Sequence, residues 1–191
     1  EQSGFHVGGA GPMSAVTVED AMVPEVLRER GYGTYAVGKW HLTPPSQMTP
    51  AGPFEQWPTG RGFDRYYGFL WGEDDQWAPE LWEDQHHAEL PDRPDYHLSE
   101  DRVDRSRRYL SDHVSSTPNR PFYLHLAFGA CHAPHQAPED YIERYRGAFD
   151  SGWDVERERV LARQIELGVV PAGTTLPAPN PGVPAWADLD S

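Results

Sequence analysis

The apolar positions of this chain fall into short runs separated by glycine, proline and charged residues, and each run predicts a short element. In residues 24–30, PEVLRER, the spacing predicts a helix, with Pro24 at a first-turn position and Gly31 as its stop. The β-branched and aromatic run TYAV at 34–37 predicts a buried strand, which places Gly38, Lys39, Trp40 and His41 where that strand ends. Residues 43–96 hold many prolines, glycines, tryptophans and acids without a long period. They read as an irregular excursion containing short strands, and such a loop in a compact domain is commonly functional. A helix is predicted over 99–114, capped by Ser99, with Glu100 and Asp101 in its first turn and Val103, Leu110 and Val114 on one face. The run FYLHLAF at 122–128 is a second strong strand, and GACHAPHQAP continues from its end.

Beyond it, PEDYIERY at 138–145 predicts a short helix. A clearer one spans 154–168, from Asp154 as N-cap to Gly168 as C-cap. The stretch 169–191 is proline-rich and reads as an extended tail wrapping a surface, and the glycine-rich 1–16 reads as loop. The order helix, strand, polar loop thus occurs twice. Ligands of open α/β sheets bind outside the carboxyl ends of the strands. If the two strands are parallel neighbours, Lys39 and His41 after one, and His132 and His135 after the other, meet at one edge.

The length of 191 residues is that of one domain or part of a larger one, and the hydrophobic fraction of 38% is in the globular range. A net charge of -14 argues against a nucleic-acid partner, which needs a basic surface. No apolar run reaches the ~18 residues of a membrane span. The single cysteine, Cys131, excludes an internal disulfide and leaves the compartment open. Cations sharpen the picture further. Of 16 lysines and arginines, Lys39 alone is lysine. Lysine is a compact, titratable point charge, whereas arginine is a planar fork that stays charged. A lysine and two histidines at one strand edge could hold an oxyanion of a phosphate or sulfate ester and move a proton near neutral pH.

The stretch GYGTYAVGKWHL, residues 31–42, resembles the second sulfatase signature, G-Y-x-T-x-x-x-G-K-W-H-L. RGFDRYYGFLWGEDDQW (61–77), YLHLAFGACHAPHQAP (123–138), DVERERVLARQIELGVVP (154–171) and VPAWADL (183–189) are similar to the bacterial arylsulfatase type of that family. The resemblance runs from about Ser3 to Leu189, nearly the whole chain, although a family member is more than twice as long. It implies an α/β, alkaline-phosphatase-like fold, present in part, with a mixed or mostly parallel sheet flanked by helices. Residues 1–191 would then be an internal portion of a sulfatase catalytic domain. It also implies a sulfuric ester hydrolase whose nucleophile is a formylglycine, made by a formylglycine-generating enzyme from C/S-x-P-x-R, with a calcium ion polarising the sulfate. By the same resemblance Lys39 contacts a sulfate oxygen and the formylglycine hydroxyl. His41 takes the proton that expels sulfate from the covalent intermediate, and His132 binds the sulfate group and assists the leaving oxygen.

No C/S-x-P-x-R occurs in the chain, so the modified residue is expected upstream of Glu1, about ten residues before SGFHVGGAG. The calcium ligands are likewise expected outside it, with the remainder of a sulfatase chain as partner and a small sulfate ester as substrate. The isolated chain is then expected to be inactive. A phosphoesterase or phosphonate hydrolase of the same superfamily, and a non-catalytic remnant or anion-binding module, are the alternatives. Cys131 has the wrong spacing for the nucleophile and reads as a small buried side chain. His86 and His87 read as part of a solvated acidic loop, and GEDDQW lacks the ligand spacing of an EF-hand. His125 reads as structural, and Trp71, Trp77 and Trp82 as shaping specificity or packing in the core.

Overall fold

A central parallel strand organises the fold. The computed structural model describes residues 16 and 19–189, so the predicted loop at 1–16, Val16 apart, lies outside the described residues. The chain divides into two compact units, 1–136 and 137–191. In the first, helix α1 (Val23–Glu29) begins where Glu25 Oε2 accepts a hydrogen bond from the Met22 N–H, 2.7 Å. It carries Pro24 in its first turn and stops before Gly31, as its sequence predicts. Strand β1 (Gly33–Lys39) follows, then β2 (Arg65–Phe69), β3 (Trp82–Glu83), β4 (His86–His87), helix α2 (Leu98–Ser116) and β5 (Phe122–Ala127). The sheet order is β4-β3-β2-β1-β5. Strand β1 pairs in parallel with β2 (Tyr35 opposite Arg65, Lys39 opposite Phe69) and with β5 (Gly33 opposite Phe122, Gly38 opposite Ala127). The two outer pairings, β2 with β3 and β3 with β4, are antiparallel, so the sheet is mixed.

Both faces of β1 and β2 are covered, which is why their sequences are apolar without clean alternation. Ala36 and Tyr66 point into a cluster with Trp40, Trp57, Phe63, Leu70 and Trp82, against which Met22 at the start of α1 packs. Val37, Tyr67 and Phe69 point the other way, toward Leu98 and Tyr109 of α2. Gly38 is required where β1 meets β5. Its φ is +114°, and a Cβ there would lie 1.8 Å from the Ala127 carbonyl oxygen.

Helix α2 departs from its prediction in two ways. Its N-cap is His97, whose Nδ1 accepts from the Ser99 N–H at 3.2 Å, so Ser99 lies inside the helix. The valines of the predicted apolar face are open to solvent, Val103 at 41% and Val114 at 56%, while Asp101, Arg102, Ser106, Tyr109 and His113 are buried. The cause is the aromatic, hydroxyl-bearing sheet face beneath. Tyr67 and Tyr96 hydroxyls donate to Asp101 Oδ2 (2.6 and 3.1 Å), and Tyr109 donates to the Tyr66 carbonyl (3.2 Å). Arg102 and Arg105 lie over the rings of Phe69 and Tyr67, 4.7 and 4.0 Å from the centroids.

The stretch 43–96 is held by buried side chains rather than by regular structure. Trp57, fully buried, donates to the Gln47 carbonyl (2.9 Å), and Trp40 donates to that of Gln56 (2.8 Å). Arg61 is buried with its charge satisfied by Glu25 Oε1 (2.9 Å), Gln56 Oε1 (3.0 Å) and the carbonyls of Val16 and Asp20. Arg102 is the opposite case. It is fully buried, and none of its three guanidinium nitrogens has a hydrogen-bond partner among the described residues. Burial pulls its pKa down to about 10.

In the second unit, α3 (Glu139–Glu143) precedes α4 (Gly152–Glu166). The cap of α4 is Ser151, three residues before the predicted Asp154, and Leu167 caps its other end ahead of Gly168. The Asp154 carboxylate is used otherwise: its Oδ2 accepts from the Trp186 N–H, 2.8 Å. The following tail folds back along α4. Arg157 donates to the Pro177 carbonyl (2.8 Å), Trp153 donates to that of Pro184 (3.2 Å), and the Trp153 and Trp186 rings meet edge to face at 4.9 Å.

Two outcomes follow for stability. Gly38→Ala drives a methyl group into the β5 backbone and lowers stability by about 3 kcal/mol, read by urea denaturation. Arg102→Met keeps the stem against Phe69 and removes a buried charge that has no hydrogen-bond partner among the described residues. It raises the thermal midpoint, with a gain of about 1–3 kcal/mol.

Candidate functional site

The sheet edge where β1, β2 and β5 end carries the polar side chains singled out in the sequence. Backbone pairing continues past the strands: the Trp40 N–H donates to the Phe69 carbonyl (3.1 Å) and the His41 N–H to that of Leu70 (3.0 Å). Trp40 is buried, edge-on to Phe63 at 5.9 Å, and so pins the backbone between Lys39 and His41. His41 has a left-handed backbone, φ +59°, which histidine tolerates better than most residues. Its ring lies against Gly72 of the loop after β2, where a Cβ would come 2.4 Å from His41 Cε1. Only glycine at 72 leaves room for the imidazole.

The third predicted residue, His132, arrives on the loop after β5. Its N–H donates to the Gly129 carbonyl at 2.9 Å, and its half-exposed ring places Nδ1 3.1 Å from Glu73 Oε2 and 3.1 Å from the Ala133 carbonyl oxygen. The loops after β2 and β5 are tied together by Gln136. Its Oε1 accepts from the Gln76 N–H (2.7 Å), and its Nε2 donates to Asp75 Oδ2 (2.9 Å). Asp74 closes the loop after β2 on itself, accepting from the N–H groups of Asp75 (2.8 Å) and Glu80 (3.1 Å). Burial nevertheless raises its carboxyl to about 6.

Lys39, His41 and His132 are therefore brought within electrostatic reach of one another. The pKa of His41 is lowered, first by burial and then by the charges of Lys39 and His132, with Glu73 acting in the opposite sense. A neutral imidazole beside a fixed ammonium is the form that accepts a proton near neutral pH. Other expectations need correction or drop out. Cys131 is exposed, not buried: the loop carrying it turns outward beyond the strand end. His86 and His87 form strand β4, with the His87 ring tilted against that of Trp82 at 3.7 Å between centroids, rather than lying in a loop. His125 is exposed on β5 and His135 is exposed on its loop. Trp82 is core, whereas Trp71 and Trp77 are exposed on the loop after β2.

Among the described residues no three His, Cys, Asp or Glu side chains converge to hold a metal ion. The calcium implied by the resemblance therefore finds no ligand set among them. Glu73 and Gly72 were missed by sequence reasoning. The signal available was the strand RYYGF, whose end brings both residues to the edge already marked by Lys39.

The Sulfatase family matches residues 4–173, and the chain belongs to that family. It is 33% identical over 183 residues to an uncharacterised sulfatase of Schizosaccharomyces pombe, covering 88% of this chain and 31% of that protein. To the arylsulfatase of Klebsiella aerogenes it is 29% identical over 185 residues, covering 90% and 37% respectively. Its fold is similar to that of BT4656, solved in complex with its substrate D-glucosamine-2-N,6-O-disulfate. The TM-score is 0.52 at 22% identity, over 71% of this chain and 24% of that one. The mixed sheet with flanking helices is thus part of an alkaline-phosphatase-like fold, and the chain spans about a third of the length of these two curated relatives.

The electrostatics of the cluster are directly measurable. His41 titrates below the ordinary histidine value of about 6.5. Lys39→Met removes a neighbouring positive charge that disfavours the imidazolium, so it raises the midpoint. A pH series of His41 Cε1–H shifts by NMR reads both.

Proposed function

We propose that this chain is an internal portion of a sulfatase catalytic domain. It contributes three groups to the hydrolysis of a sulfate ester to an alcohol or phenol and sulfate. The observation carrying this reading is the convergence of Lys39, His41 and His132 at one sheet edge of a chain matched to the sulfatase family over 170 of its residues, 4–173. Lys39 places a compact positive charge against a sulfate oxygen. His41, its pKa lowered first by burial and then by Lys39 and His132, accepts the proton released as the covalent intermediate breaks down. His132 binds the sulfate group through its exposed ring and assists the departing ester oxygen.

A formylglycine from a C/S-x-P-x-R motif outside these residues would supply the nucleophilic hydroxyl, and a formylglycine-generating enzyme would be its maker. Calcium would take its ligands from outside the described residues and would supply polarisation of the sulfate. The remainder of the sulfatase chain is accordingly the partner on which turnover depends.

The test is hydrolysis of 4-nitrophenyl sulfate by the complete protein that carries this chain, co-expressed with a formylglycine-generating enzyme. Turnover is expected. Lys39→Ala, His41→Ala and His132→Ala each lower kcat by about 10²–10⁴, and the 191-residue chain alone gives no turnover. Faster hydrolysis of 4-nitrophenyl phosphate than of the sulfate would instead make it a phosphoesterase. Sulfate binding by the complete protein without any turnover would make it an anion-binding module.

A further inference from the structure

We propose that Glu73 is a positioning residue of this site, its carboxylate holding the orientation of the His132 ring while balancing the positive charges around His41. The inference deepens the sulfatase reading and rests on it for its catalytic meaning. The geometry at His132 carries it. Nδ1 lies 3.1 Å from Glu73 Oε2 and 3.1 Å from the Ala133 carbonyl oxygen. A carboxylate and a carbonyl only accept, so Nδ1 bears the proton of the neutral ring. Nε2 is then the atom left to face a bound anion or a leaving oxygen. It presents a lone pair when the ring is neutral and an N–H when it is charged.

The carboxylate is delivered by a braced turn. Glu73 follows Gly72, whose backbone lies against His41, and precedes Asp74, whose side chain holds the N–H groups of Asp75 and Glu80. Gln136 ties the same turn to the loop carrying His132. One residue thereby touches the two histidines differently, His132 by contact and His41 by charge. The charged groups acting on His41 are Lys39 and His132, which oppose its protonation, and Glu73, which favours it. Fold stability does not explain the pair. Its side chains are 50% and 52% exposed, and ion pairs so open to water stabilise little. Its consequence is orientation, in the manner of carboxylates that steer ligating or catalytic histidines from behind.

The test uses Glu73→Ala and Glu73→Gln in the 191-residue chain, read by imidazole ¹⁵N NMR across pH. In the unsubstituted chain the neutral His132 ring carries its proton on Nδ1. Glu73→Ala is expected to raise the mobility of the His132 ring in ¹⁵N relaxation while the Ala133 carbonyl keeps the proton on Nδ1, whereas Glu73→Gln, which keeps an acceptor without the charge, restrains the ring. Both variants lower the His41 midpoint, and both melt with the unsubstituted chain. An unchanged His132 ring mobility in Glu73→Ala, or an unchanged His41 midpoint in both variants, overturns the proposal. In the complete enzyme Glu73→Ala lowers kcat about 10-fold or more with KM little altered, and Glu73→Gln recovers part of the loss. The spectra require no turnover. Altered spectra in this chain, together with a complete protein that hydrolyses no sulfate ester after co-expression with a formylglycine-generating enzyme, therefore refute the sulfatase reading and leave the role of Glu73 standing.

Discussion

The parallel pairing of β1 with both β2 and β5 is the constraint on which the rest of the first unit depends. Parallel strands end on the same side, so three separate loops leave the sheet at one edge. The pairing is tight enough that no side chain fits at Gly38, and it runs on for two residues beyond the end of β1, to His41. The backbone that carries the imidazole is thereby fixed by main-chain hydrogen bonds. His132 and Glu73 have weaker anchorage, each on its own loop, and Gln136 compensates by stitching those loops together.

The two buried arginines show how differently one residue type can be housed. Arg61 gathers a carboxylate, an amide oxygen and two carbonyls, and holds the irregular stretch to the start of α1. Arg102 sits on a ring face with its nitrogens unpartnered among the described residues, close to the Gly129 turn that leads to His132. A hydrogen-bonded buried charge organises what surrounds it, while an unpaired one weighs on the fold.

Legibility in the sequence followed the reach of the forces involved. Strands β1 and β5 and helices α1 and α4 were readable because local signals decide them: β-branched runs, Pro24 in a first turn and Gly168 past a last one. Lys39, His41 and His132 were readable from a motif and from the rule about strand ends. The buried face of α2 was not. Val103 and Val114 promised an apolar face, but the hydroxyls of Tyr67 and Tyr96 and the ring of Phe69 chose Asp101 and Arg102 instead. That choice belongs to the partner surface, which hydrophobic periodicity cannot see. Glu73 escaped for a related reason. Its significance lies in a contact with a residue 59 positions away along the chain, made only once two loops meet.

The left-handed backbone at His41 has an evolutionary consequence. Glycine or asparagine would occupy that conformation with less strain, by about 1 kcal/mol. Selection for a sturdier fold and selection for an imidazole therefore pull this position in opposite directions. A lineage that no longer needed the proton acceptor would be free to drift toward the cheaper backbone. On the proposed sulfatase reading, the histidine at this position is the outcome of that second pull.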